Sequence, residues 1–295
     1  MTSPQLFWDW GTAYDLFLSL QVLHNPASFG VRGAWAAGVR ARLTATDRET
    51  LEQSQLVDCI PLHWIHSLPE PKGGASSLWS LERVPPMQRL STLFQAPGTR
   101  LEGVTGILGE VATRGKWTVE EREALQTGFQ REHEHKGKEP PSPKELGEIL
   151  DLWARAEEFG ERYLEALRAY HESFFAEEER RIRPHLQEAL SRARELATQV
   201  TLPDLLEELS QGLRFEEWPT TPELVLVPSY WITPLTYFGK LSEQRETLVF
   251  GARSPGVSLV PGEVVPDALL RVLKALSDPT RLRILHYLSE EPLTP

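Results

Sequence analysis

Two close histidine pairs are the first places where residue type and spacing could support chemistry. His63-Trp-Ile-His66 sets two imidazoles about one helical turn apart, a spacing that can hold a metal ion from one face. Pro61, Trp64 and Ile65 surround that pair, and apolar neighbours of this kind favour hydrogen-bonded histidines in a core. His133-Glu-His135 lies in a polar, lysine-containing helix end beside Glu132 and Glu134, and reads as a solvated terminus. The single Cys59 can form neither an internal disulfide nor a thiolate cage. HExxH, GxSxG and GxxxxGKS/T do not occur, so the commonest hydrolase and nucleotide signatures are absent. Glu177-Glu-Glu179 beside Arg180-Arg181 has the spacing of paired charges on an exposed helix face, not of an acid–base couple. No catalysis, metal or cofactor is expected.

The aromatic residues carry a second possibility. There are 9 tryptophans, with Trp8, Trp10, Tyr14 and Phe17 near the start and Tyr230, Trp231, Tyr237 and Phe238 near the end. Such side chains bury large areas and serve first as core. Arranged around a cavity, Trp8, Trp10, Tyr14, Tyr230, Trp231 and Tyr237 would instead line a pocket for an apolar or cationic small molecule.

The elements that must position these residues are mostly helical. Apolar spacing predicts helices from Thr12 to about Leu23, from Arg32 to Leu43, and from a Thr46–Glu49 capping box to about Val57. Ser67 to Ala75, rich in proline and glycine, reads as a loop. Thr118–Glu121 and Ser142–Glu145 are further capping boxes, the second opening a long helix through Phe174. Pro184 is expected to kink or split the next helical stretch, which resumes at His185, and Leu202 to Leu213 gives one more helix. The period then changes. Glu223–Pro228, Tyr230–Thr233 and Glu246–Gly251 read as two or three strands of a small antiparallel sheet.

Near the C-terminus, Leu269, Leu270, Leu273 and Leu276 mark one amphipathic helix. A second follows a sharp turn, with Asp278 as cap, Pro279 at the first helical position, and Leu282, Leu285 and Leu288 as its buried stripe. Thr294-Pro295 repeats the helix-start cue. The run Leu273-Lys-Ala-Leu-Ser-Asp-Pro-Thr-Arg-Leu-Arg-Ile-Leu285 resembles the ArsR/SmtB-type winged helix-turn-helix repressors over about Leu269 to Pro295. More loosely, the upstream part resembles the helical domain of unknown function that precedes this module in some ArsR-like regulators.

The resemblance implies a mainly α protein: a helical sensor domain over 1–215, a small antiparallel β linker over 216–262, and the first two helices of a winged helix-turn-helix over 263–295. Asp278, Pro279, Arg281, Leu282 and Leu285 would be scaffold residues of that module. The recognition helix, the wing and the last dimerisation helix would lie beyond Pro295, so the chain is expected to stop inside the DNA-binding domain. The family's metal-binding Cys-x-Cys would begin near Thr294, which is no thiolate ligand. The implied function is a cytoplasmic transcription regulator of repressor class, binding double-stranded DNA as a homodimer under control of a small-molecule effector. A helical small-molecule- or protein-binding module without DNA binding of its own is the alternative.

Composition sets limits on both. With 40% hydrophobic and 25% charged residues in 295, this is an ordinary globular chain of roughly two domains. The longest charge-free runs contain proline and are too short for a membrane span. The 31 basic against 42 acidic residues give −11, a poor balance for neutralising phosphates. Asp267 to Pro295, however, holds four of each sign, so the acidic excess belongs to the N-terminal body.

Overall fold

Helix α1 (Thr12–His24) is buried on nearly every side, from Thr12 through Leu20 and again at Val22 and Leu23. A helix buried all round belongs at the centre of a fold, with other elements packed about it. Asn25 ends it, and Pro26–Phe29 turns the chain in a 3-10 segment. The computed structural model describes residues 4–57, 60–95, 102–136, 140–213 and 221–253, without the side chains of Glu102 and residues 131–136. Cys59, the His133 and His135 side chains, and the C-terminal segment with Asp278, Pro279, Arg281, Leu282 and Leu285 lie outside the described residues.

The following helices are α2 (Gly33–Arg40), α3 (Ala45–Ser54), α4 (Leu62–Ser67), α5 (Gly74–Glu82) and α6 (Pro86–Phe94). After them come α7 (Glu102–Arg114), α8 (Val119–Lys136), α9 (Pro143–Ala154), α10 (Ala156–Tyr170), α11 (Ala176–Leu196) and α12 (Leu202–Leu209). The capping box of α3 is Thr44 with Asp47, two residues before the expected Thr46–Glu49 pair. Those of α8 and α9 stand as read, at Thr118–Glu121 and Ser142–Glu145.

The long helix expected from Ser142 to Phe174 is divided. Arg155 leaves the helical region at φ −112°, ψ 35°, separating α9 from α10, and a π turn covers His171–Phe175. Pro184, by contrast, does not split α11. It lies on an exposed face, as does Arg180, whose carbonyl loses its helical partner and can turn to water.

The sheet also differs from expectation. Strand β1 (Gln5–Trp8) precedes all the helices, and β2 (Glu223–Ser229), β3 (Tyr237–Lys240) and β4 (Arg245–Gly251) follow them. The order is β1-β2-β4-β3. β1 and β4 both run parallel to β2, and only the β3–β4 pair is antiparallel. The sheet is therefore mixed, not antiparallel, and the first 215 residues are not wholly helical. Parallel neighbours need a crossover, and between β1 and β2 that crossover is the entire helical body. Leu224–Val227 and Leu248–Phe250 are buried without alternation, as interior strands covered on both faces must be. Tyr230–Thr233, expected as a strand, is a turn. Because β1 comes from the extreme N-terminus, helices and strands together form one compact unit over Met1–Arg253.

Within it, α7, α8 and α9 pack on one another as a three-helix lobe, which meets the rest mainly through α9 against α10 and the 3-10 turn Gln55–Val57, and also where Gln95 donates to the Thr105 carbonyl on α7.

Candidate functional site

Helix α4 carries both residues of the first histidine pair, but they turn to different partners. His63 Nε2 lies 3.0 Å from the Thr92 carbonyl on α6, and burial lowers its pKa against the opposing effect of that carbonyl. His66 Nε2 accepts from Arg245 at 3.1 Å, so the ring proton sits on Nδ1 and is donated to Asp9 Oδ2 at 2.8 Å. Among the described residues, no three histidine, cysteine, aspartate or glutamate side chains converge as metal ligands would.

Asp9, just past β1, is the centre of a closed polar cluster. The same Oδ2 accepts from Tyr14 at 2.7 Å and from the Lys72 ammonium, which also donates to the His66 carbonyl at 2.6 Å. Burial opposes the Asp9 charge, but hydrogen bonds from His66, Lys72 and Tyr14 outweigh it and lower the pKa. Burial, with the Asp9 charge and hydrogen bond, holds the Tyr14 hydroxyl well above its usual value. A close backbone approach makes this possible: a Cβ on Gly11 would strike the Lys72 carbonyl.

A second cluster surrounds Glu179 on α11. Its carboxylate takes Thr12 Oγ1, the Gly74 N–H at 3.0 Å, His171 Nε2 at 3.3 Å and Arg183 at 3.2 Å. Burial resists ionisation, yet bonds from His171, Thr12 and Gly74 bring the pKa down to about 2. The π turn at 171–175 sets His171 here, beside the start of α5.

Asp15 differs from both. It is 0% exposed, and its Oδ1 accepts from Ser229 Oγ at 2.6 Å and the Trp231 N–H at 2.9 Å. Oδ2 has no partner in the structure. Burial pushes its pKa up to about 7, against the Ser229, Trp231 and Tyr230 hydrogen bonds and with a small contribution from Glu178. Both Asp9 and Asp15 show in the sequence as carboxylates interrupting an apolar stretch, a signal that marks burial but not partners.

The aromatic pocket candidates differ in their burial. Tyr14, Tyr230 and Trp231 are at most 1% exposed and belong to the core, while Trp8, Trp10 and Tyr237 are half-buried. Trp231 stacks on Trp35 at 5.2 Å between ring centres and meets Phe174 edge-on at 5.8 Å. Trp8 lies under the Arg194 guanidinium, 5.9 Å away.

A cleft of a size for a small molecule lies where the α7–α9 lobe meets the body. It measures about 340 Å³, within the range of about 300–1,000 Å³ usual for such sites. Gln53 and Leu56 form one wall, Glu148, Asp151 and Leu152 of α9 another, and Arg155, Glu158, Phe159 and Arg162 the rest. None of the six aromatic candidates is among them. The cleft is built from three separate segments, and Glu148, Asp151, Arg155 and Glu158 stand at exposed positions with no local motif.

No helix among the described residues is long and apolar enough to cross a membrane. Compared with protein-family models, curated proteins and solved structures, the chain matches none.

Proposed function

We propose that the protein is a transcription regulator of the ArsR/SmtB type, of repressor class, in which the helical body senses a small molecule. One observation carries this reading: Leu273–Leu285 gives a leucine stripe, an Asp278-Pro279 cap and start, and a second stripe in the order that family uses. Two features of the body support it. A cleft of small-molecule size lies between the α7–α9 lobe and the rest. Strand β4, the interior strand tied to the Asp15 region through β2, is the last element before residue 254, where the C-terminal segment begins.

Sensing here is a coupling free energy. An effector that binds two arrangements of the body unequally changes operator affinity, and operator DNA changes effector affinity by the same factor. The partners are double-stranded DNA, a second copy of the chain and the effector, with a cytoplasmic location and no catalytic role. A fluorescence-anisotropy titration of the full-length protein on its own promoter tests the reading. A salt-dependent preference over random duplex is expected, and equal binding to both overturns it.

A further inference from the structure

The charges around the cleft at the lobe boundary are not all spent within the protein. Arg162 is held by Thr50 Oγ1 at 3.2 Å, Gln53 Oε1 at 3.1 Å and Glu158 at 3.3 Å, so it and Glu158 offset each other as part of the wall. Asp151 accepts the Trp117 indole N–H at 2.7 Å, a neutral donor that leaves its charge uncompensated. Glu148 has only a loose exposed contact, 3.6 Å from Lys144. Arg155 donates from Nε to the Asp151 carbonyl at 3.4 Å, but has no carboxylate within ion-pair distance among the described residues.

One guanidinium and one carboxylate, four positions apart at the α9–α10 junction, thus stand unpaired on the same cleft. Leu152 and Phe159, each 4% exposed, supply an apolar floor with Leu56. A ligand matching this arrangement carries an ammonium and a carboxylate on one carbon, with an apolar body. We infer that the cleft binds a free α-amino acid with a large apolar side chain, its carboxylate on Arg155 and its ammonium on Asp151 with Glu148. Charge-assisted bonds of this kind are the strong ones, and the volume admits a side chain as large as that of phenylalanine. A ligand spanning α9, α10 and the Gln55–Val57 turn touches both the lobe and the body. Naming it the effector rests on the regulator reading; its binding does not.

The test uses the 295-residue chain without DNA, which separates the two claims. The indole N–H signal of Trp117, assigned through Trp117→Phe, is followed by NMR during titration with L-phenylalanine, L-leucine and L-tryptophan. Phenethylamine, which lacks the carboxylate, and 3-phenylpropionate, which lacks the ammonium, are the comparators. At least one amino acid is expected to shift the signal saturably at millimolar concentration. Each comparator should bind about tenfold more weakly or worse, the loss of one charged contact. Asp151→Asn and Arg155→Gln, both at exposed positions, should each weaken the amino acid about tenfold with thermal stability unchanged. No shift with any amino acid overturns the proposal, as does equal binding of either comparator or full affinity in both variants. An amino acid that binds while promoter selectivity is absent would leave this site standing and remove the regulator.

Discussion

Asp15, in the first turn of α1, accepts the backbone N–H of Trp231 at 2.9 Å, across 216 residues of chain. The same oxygen accepts Ser229 Oγ, so one carboxyl fixes the turn after β2 onto the central helix. It also explains why Tyr230–Thr233 is not a strand: the backbone there is hooked to α1 instead of to a neighbouring strand. The hook delivers the Trp231 ring into its stack with Trp35 and its edge-on contact with Phe174.

That carboxyl should make stability fall as pH rises. Its pKa goes from 3.8 to about 7 on burial, so the native state holds a proton that the unfolded chain releases. The contribution is complete below pH 3.8, declines as pH rises, and is gone above about 7. The span corresponds to at most ~4 kcal/mol. Asp15→Asn keeps the acceptor oxygen and imitates the protonated form. Urea midpoints at pH 5 and pH 8 should differ markedly in the native protein and at most half as much in the variant. An unchanged difference would mean that Asp15 is charged when folded.

Lys72→Met should be costly for the opposite reason. Asp9 and Lys72 are 6% and 8% exposed, and removing the ammonium strands a buried carboxylate beside a His66 that already donates to it. Breaking a buried pair on one side typically costs about 3–5 kcal/mol. The lowered Asp9 pKa places this pair's contribution above the unfolded value of 3.8, to be lost as pH falls through the folded one. Adding Asp9→Asn should restore part of the loss in a double-mutant cycle by chemical denaturation. A single-variant cost below about 1 kcal/mol would show the pair to be hydrated and loosely held.

What could be read in the sequence was local. Ser142–Glu145 and Thr118–Glu121 form their capping boxes because partners three residues apart need no tertiary information. Thr44–Asp47 and Thr46–Glu49 share that spacing, and the pattern alone does not choose between them. β1 was invisible for a different reason: four residues gain strand structure only by pairing with Glu223–Leu226, a register set by the whole helical body. The aromatic types announced burial correctly at Tyr14, Tyr230 and Trp231, but residue type does not say whether space remains beside a ring. The cleft drew its lining from Gln53–Leu56, Glu148–Arg155 and Glu158–Arg162, and nothing local links the first segment to the others.

Glu179→Gln should remove part of the acid sensitivity. A folded pKa of about 2 against the usual 4.5 means that Glu179 stabilises the protein above pH 4.5 and ceases to as pH falls toward 2. The side chain is 12% exposed, so screening is modest, and the shift corresponds to ~2–3 kcal/mol. The variant should lose about that much at pH 7 and show a smaller fall in thermal midpoint between pH 5 and pH 3. Equal acid sensitivity would assign it to other carboxylates.

Gly160→Ala should reverse the usual preference of helices for alanine. Replacing glycine inside a helix ordinarily gains about 0.5–1 kcal/mol. At Gly160 on α10, however, the added Cβ would collide with the Pro86 carbonyl at the start of α6. The backbone there has little room to retreat, because the Gly160 carbonyl accepts from Arg89 at 3.1 Å. Arg89 is itself tied to the Leu81, Glu82 and Val84 carbonyls. Separating α10 from α6 to admit a methyl would strain all of these bonds, and overpacking of this kind costs about 1–3 kcal/mol. Gly147 on α9 is the control, since a Cβ there meets nothing within 4 Å. Denaturation midpoints should fall for Gly160→Ala and rise for Gly147→Ala. A rise for both would mean that α6 and α10 are less closely docked than this geometry requires.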